Sequence, residues 1–339
     1  MYKKGNSRKK SNSFWGILCF LIALSLVLSG CGSPKPKVYR VGVLSGLSFV
    51  ATITDGFKAK MTELGYVEGE NIVYDVQETD FDMEAYKTIL KKFVDDKVDM
   101  IVVFPTEATM EAKTATQGTD IPVVFTFALI EGMGIVDSVS APGGNITGVR
   151  YPGPEIAVKR FEILHDLAPQ AKRFWIPYQK GYPIVTPQLE VLRPAAEAAG
   201  VTLIEAPAND TAELQALLDN MDKPDDAGMD AILLIVEPLL TIPDNFMVIA
   251  NYAQEHNLPF GGILMPSETG SPIFELNVDT IAIGEAVAPL ADKIFKGTAA
   301  GTIPVVSAEG YLKIDVKAAA EYGITVPDGL LLQADEVIR

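Results

Sequence analysis

The chain has 339 residues, of which 48% are hydrophobic and 21% charged, and its formal net charge is −16. That length and balance fit two folded α/β domains with substantial cores and exclude a disordered polyelectrolyte. An acidic excess of this size also excludes nucleic acid as the natural partner, because phosphate binding needs a basic face.

At the N-terminus, Lys3, Lys4, Arg8, Lys9 and Lys10 precede an apolar run from Phe14 to Leu28, the layout of a secretory signal peptide. The run is short for a membrane span and ends in Leu28-Ser29-Gly30-Cys31, which resembles a bacterial lipobox. Cleavage before Cys31 would leave that cysteine N-terminal and lipid-modified; the alternative is an uncleaved anchor helix. Loss of residues 1–30 removes five basic and no acidic groups, taking the charge from −16 to −21. Cys19 lies in the leader and Cys31 takes the lipid, so no cysteine remains for a disulfide, a thiolate or zinc. Residues 31–37, with their Pro and Lys, read as a tether.

From Tyr39 the chain alternates strand and helix patterns. Tyr39 to Leu44 reads as a strand and Ile53 to Leu64 as a helix stopped by Gly65. Asn71 to Val76 alternates as a strand, and Met83 to Asp95 is helical. Met100 to Phe104 is a continuous apolar run suited to the middle of a parallel sheet, with Thr106 placed to cap the next helix. Ile121 to Thr126 completes the first cycle. The glycine-rich turn Pro142-Gly143-Gly144-Asn145 then reads as a hinge, after which the cycle repeats. Helices are predicted over Ile156–Leu167, Pro187–Ala199, Thr211–Met221 and Phe246–Glu255, and strands over Arg173–Ile176, Thr202–Glu205 and Ala231–Val236. A strand over Ile273–Leu276 and a helix over Thr280–Phe295 follow, and periodicity assigns the remaining tail to neither half. The fold class expected is α/β, with two doubly wound Rossmann-like lobes.

The runs Gly56 to Ile72, Asp120 to Phe125, Pro142 to Val149 and Tyr322 to Ile338, in this order behind a lipobox, resemble the ABC-transporter substrate-binding lipoproteins of the TrpX-like family. The resemblance covers the chain from Val38 onward and implies a periplasmic-binding-protein type I fold with a multi-strand hinge, crossed near Thr147, Ser271 and Thr302. It implies one lobe of residues 38–147 plus 271–301 and another of 148–270 plus 302–339. A lipid-anchored, extracytoplasmic monomer is then expected, holding a small amino acid-like ligand, aromatic in the family, for an ABC permease. Three departures from the family pattern bear on the ligand: Leu129-Ile130-Glu131-Gly132 replaces an Asp-Pro, Ile176-Pro177-Tyr178 replaces an Asn-Pro loop, and Asp315 stands where relatives carry Asn.

Ligands of open α/β sheets lie beyond the carboxyl ends of the strands, which singles out the loops Ser45–Phe49, Phe104–Glu107, Thr126–Glu131 and Val236–Leu239. Ser48, Thr106 and Thr126 fall where helix N-termini offer free N–H groups to an acceptor, Thr106 having a plain capping role as its alternative. Glu107, Glu131, Glu237 and Glu268 are the carboxylates placed to meet a ligand ammonium, with Glu237 favoured because it follows a buried strand; the competing reading is solvated surface. Phe49, Phe127, Tyr178 and Tyr182 offer ring faces, against ordinary packing. His165 and His256, the only histidines, sit on or beside helices, and no nucleophile elbow, phosphate loop or dinucleotide fingerprint follows a strand. The sequence therefore calls for no catalytic residue, metal or cofactor. A ligand-sensing receptor for a membrane signalling protein shares all these features, and a surface hydrolase on the same scaffold lacks its nucleophile and base.

Overall fold

The computed structural model describes residues 1–2, 37–223, 226–263 and 271–339. Residues 3–30 of the signal peptide, Cys31, most of the tether and Glu268 lie outside the described residues. All secondary structure described falls within Tyr39–Arg339.

The first sheet is built from β1 (Tyr39–Ser45), β2 (Ile72–Glu78), β3 (Met100–Phe104), β4 (Val123–Ala128), β5 (Ile146–Arg150) and the short β11 (Val306–Ser307). All pairings are parallel, in the order β11-β5-β4-β3-β1-β2. Every residue of β3 is buried, as expected of an apolar run covered on both faces. One cover is formed by α1 (Ile53–Glu63) with α8 (Thr280–Phe295), the other by α2 (Met83–Asp95) with α3 (Thr106–Ala115). Local chemistry sets the helix starts: Asp82 caps α2 by accepting from the N–H groups of Glu84 and Ala85, and Asp279 caps α8 through Ala282.

The second sheet takes the order β7-β6-β8-β9, again parallel, from β6 (Arg173–Gln179), β7 (Thr202–Ala208), β8 (Ala231–Leu233) and β9 (Phe260–Gly261). Helices α4 (Gly153–Leu167) and α5 (Val185–Ala199) pack on one face, α6 (Thr211–Met221) and α7 (Pro243–Glu255) on the other. A small third sheet, β10 (Phe274–Val278), β12 (Gly310–Asp315) and β13 (Glu336–Ile338), sits beside β9, to which the Gly262–Glu275 bridge joins it. Two short helices, α9 (Val316–Glu321) and α10 (Asp328–Leu331), separate β12 from β13.

The expected two-lobed, doubly wound fold is present, with the connections displaced. The Pro142–Asn145 turn lies inside the first sheet, because β5 after it pairs with β4, so this turn is not the hinge. The chain leaves the first sheet only after Arg150, β10 belongs with β9 rather than with the first lobe, and β11 returns to β5 beyond the expected last crossing at Thr302. Strand pairing decides these points, and it has no local signature. The run Ala231–Val236 forms a strand only to Leu233, and beyond it Leu234 N still reaches the Gly261 carbonyl at 2.9 Å while its own carbonyl accepts from Arg160.

Candidate functional site

In each lobe the strand order reverses once, between β1 and β3 in the first sheet and between β6 and β8 in the second. Loops diverge at such a switch point and leave a crevice beyond the strand ends. Here the two crevices face one another across a single cavity of about 490 Å³, lined from one side by Leu47–Phe49 and Pro105–Glu107 and from the other by Tyr182, Ile184 and Val236–Pro238.

Backbone contacts knit each switch point. Gly46 donates to the carbonyl of Phe104 at 2.8 Å, joining the ends of β1 and β3, and Tyr86 Oη donates to the Gly46 carbonyl at 2.6 Å. The equivalent tie in the second lobe is Glu237. Its Oε2 accepts from the N–H of Gln179 at 2.9 Å and of Leu239 at 2.8 Å, and Oε1 accepts from Leu240 at 2.8 Å. Burial pushes this carboxyl up to about 7 against the pull of those three donors. Glu237 lines the cavity as expected, but both oxygens are engaged in holding the loop, which corrects the reading of it as the ligand's anion.

An aromatic wall forms the first-lobe side. Phe49 is 58% exposed at the cavity rim and stands edge-on to Phe127 at 6.4 Å, which in turn meets Tyr151 edge-on at 5.3 Å. Phe127 reaches the cavity because the β4–β5 register shifts between Thr126 and Ala128, with Phe127 itself at φ 46°. Such a bulge re-aims a side chain. The same bulge leaves Thr126 in the core with its hydroxyl enclosed and unpartnered, so Thr126 is not a lining residue.

Thr106 lines the cavity at the start of α3, although its hydroxyl does not cap the helix; Pro105 holds the cap position and Thr106 Oγ1 accepts from Leu129 N at 3.0 Å. Glu107, half-buried in the first turn of α3, accepts a hydrogen bond from Tyr182 Oη. This bond spans the cleft, joining a first-lobe helix to the loop after β6. Burial, then the Glu107 charge, raises the Tyr182 phenol well above its usual range. Ser48 N donates to Asp80 Oδ1 at 3.1 Å, bringing a carboxylate to the rim.

Two other expected residues point elsewhere. Glu131 pairs with Arg150, which also binds Glu155, so the charge expected to meet a ligand is neutralised inside the first lobe. Tyr178 Oη donates to Glu205 at 3.2 Å, and Arg193 holds that carboxyl below its usual range. Among the residues missed, Asp80 and Phe81 lie just beyond β2 and were legible as strand-end positions. Tyr151 lines the cavity from the connection after β5 and Asn277 from β10 of the third sheet, and no sequence period marks them. Among the described residues no group of His, Cys, Asp and Glu is arranged to hold a metal ion.

A family model described as ABC transporter substrate binding protein matches residues 41–338. The chain belongs to this family. The substrate-binding protein is 27% identical over 257 residues to a tyrosine-binding protein of Clostridioides difficile, covering 74% of this chain and 70% of the relative. An ABC domain from Streptococcus pneumoniae in complex with L-Trp superposes with a TM-score of 0.75 at 25% identity, over 89% of this chain and 100% of that one. A substrate-binding protein with adhesive properties from Clostridium difficile, in its ligand-free, open form, gives a TM-score of 0.71 at 20% identity over 89% and 99% of the two chains, a likeness of fold. The family is one of substrate-binding proteins and not of enzymes.

Proposed function

We propose that this substrate-binding protein captures a free aromatic amino acid, or a close analogue, in the cleft between its lobes and delivers it to an ABC permease. The observation that carries the reading is the single cavity shared by the two switch points, with the Phe49–Phe127–Tyr151 wall and the half-buried Glu107 on its surface. About 490 Å³ suits a ligand of that size. Apolar rings stack on the wall, while Glu107, the α3 N-terminus and Ser48 supply polar partners for the amino and carboxyl groups. The relatives support this choice, one being a tyrosine-binding protein and another holding L-Trp. Closure of the lobes over the ligand desolvates these contacts, and the Tyr182–Glu107 bond across the cleft supports such a motion.

Titration calorimetry of the chain from Ser33 onward against L-Trp, L-Tyr and L-Phe should give saturable, single-site binding to at least one, with Kd near or below about 1 μM, equivalent to about 8 kcal/mol. Absence of heat and of thermal stabilisation with all three would remove the aromatic assignment.

The Leu28–Cys31 pattern supports a lipid anchor at the extracytoplasmic face of the cell membrane. The variant Cys31→Ser should fractionate away from membranes in an otherwise folded state. Membrane retention of a cleaved Cys31→Ser chain would contradict the anchor.

A further inference from the structure

The carboxylates lining the cavity are Asp80, Glu107 and Glu237, and no Lys, Arg or His is among the described lining residues. A zwitterionic ligand therefore meets charge at one end only. Its carboxylate finds neutral donors, the Ser48 hydroxyl and the first N–H groups of α3, while its ammonium meets a half-buried carboxylate.

The neighbouring cations do not alter this balance. Arg160 lies behind Tyr151 and is fully buried, and its guanidinium is spent on the carbonyls of Leu276 and Leu234 and on Tyr151 Oη. Arg150 is held by Glu131 and Glu155.

A second observation points the same way. Asn277 lines the cavity, and its Nδ2 donates to Glu275 Oε1 at 3.2 Å. A carboxylate accepts only, so that contact fixes the amide orientation and leaves Oδ1 as the opposite pole. This Oδ1 is buried without a donor. An enclosed acceptor in the lining of the same cavity as the Glu107 carboxylate is a partner for an N–H-bearing cation.

We infer that the group this cleft requires of its ligand is the ammonium, held by Glu107 and Asn277 of the cavity lining, and that the carboxylate is dispensable, so that the site also takes arylalkylamines. The inference rests on the cleft being the ligand site proposed above. Glu107 is then the residue that selects ligand charge, and Tyr182, already bonded to it, exchanges its hydroxyl contact for one shared with the bound ammonium.

The test uses truncated ligands of matched ring: L-tryptophan, tryptamine and indole-3-propionate, and the corresponding tyrosine, tyramine and 4-hydroxyphenylpropionate. Tryptamine or tyramine should bind within about tenfold of its amino acid, and the carboxylate-only partners should bind at least about a hundredfold more weakly than the amines. Glu107→Gln should weaken the amine by more than about tenfold, with an unchanged far-UV spectrum and melting temperature as evidence of folding. Should that variant not fold, Asn277→Leu, which removes the acceptor at similar volume, provides the second reading and should also weaken the amine. If the amino acids bind but the amines fail, or if the propionates bind as well as the amines, the inference is wrong while the aromatic assignment stands. Binding of none of the six compounds overturns the reading of the cleft itself, and the inference with it.

Discussion

Replacing Arg160 with Ala should lower the unfolding free energy by about 3 kcal/mol. Arg160 is fully buried on α4, and its Nε and Nη2 both donate to the Leu276 carbonyl, at 2.9 and 2.7 Å. Longer contacts of 3.4 Å reach the Leu234 carbonyl and Tyr151 Oη. One side chain thus joins the end of β8, the middle of β10 and the residue at which the chain leaves the first sheet. Truncation orphans the buried carbonyls, at about 1–3 kcal/mol each, and opens a cavity. Relief of the buried charge, which burial disfavours strongly enough to lower the guanidinium's affinity for its proton, offsets part of that loss. Arg160→Lys should recover little, because one ammonium cannot present the planar fork that serves several acceptors. Urea unfolding is the measurement: a lowered midpoint at unchanged slope is expected for Ala and Lys. If Arg160→Met were as stable as the parent, packing volume rather than the carbonyl contacts would account for the site.

The second large effect is expected at Gly284. A Cβ there would stand 2.1 Å from the Ile53 carbonyl oxygen and 2.8 Å from Phe57 N, both backbone atoms of α1. Gly56 of α1 stands in the same relation to α8, its Cβ falling 2.2 Å from the Ile281 carbonyl oxygen. The helices meet backbone to backbone through two glycines, and no flexible side chain can give way. Gly284→Ala should force the axes apart and cost about 3 kcal/mol, at the upper end of overpacking effects. Since α8 returns to the first lobe after β10, this contact fastens the late part of the chain to the early part. Calorimetry should show a lower melting temperature, with Gly56→Ala giving a similar loss. The double variant should lose less than the two single losses combined, because helices already separated by one methyl accommodate the other. An unchanged melting temperature for Gly284→Ala would show that the helices slide without cost.

Neither effect is visible in the sequence, where Arg160 and Gly284 only fall inside the predicted helices Ile156–Leu167 and Thr280–Phe295. The reason is that both depend on partners more than a hundred residues away, such as Leu276 for Arg160 at a separation of 116. The displaced lobe connections have the same origin. The Pro142–Asn145 turn has the composition of a hinge, yet Val123–Thr126 and Ile146–Val149 pair across it and close it into the first sheet. Likewise β10 joins β9 through pairing at Gly262 and Glu275, which local composition does not encode.

What the sequence by itself determined were the properties written in local periods and composition. The buried runs of β1, β3 and β4, the helix stop at Gly65 and the α/β alternation follow from side-chain spacing and composition, and they fix the two-lobed class. Strand ends follow from strands, so Ser48, Phe49, Thr106, Glu107, Phe127, Tyr182 and Glu237 were legible as cavity positions, and all of them line it. Only the tertiary structure decided what each of them does there. A one-residue bulge turns Phe127 toward the cavity and Thr126 into the core. Glu237 is occupied by three backbone N–H groups, Glu131 by Arg150, and Glu107 is left facing the cleft with Tyr182, which lies 75 positions away in the chain. A carboxylate's role depends on which donors reach it, and those donors arrive through the pairing of distant strands. The residue type supplies the charge, and the fold determines whether that charge is already satisfied.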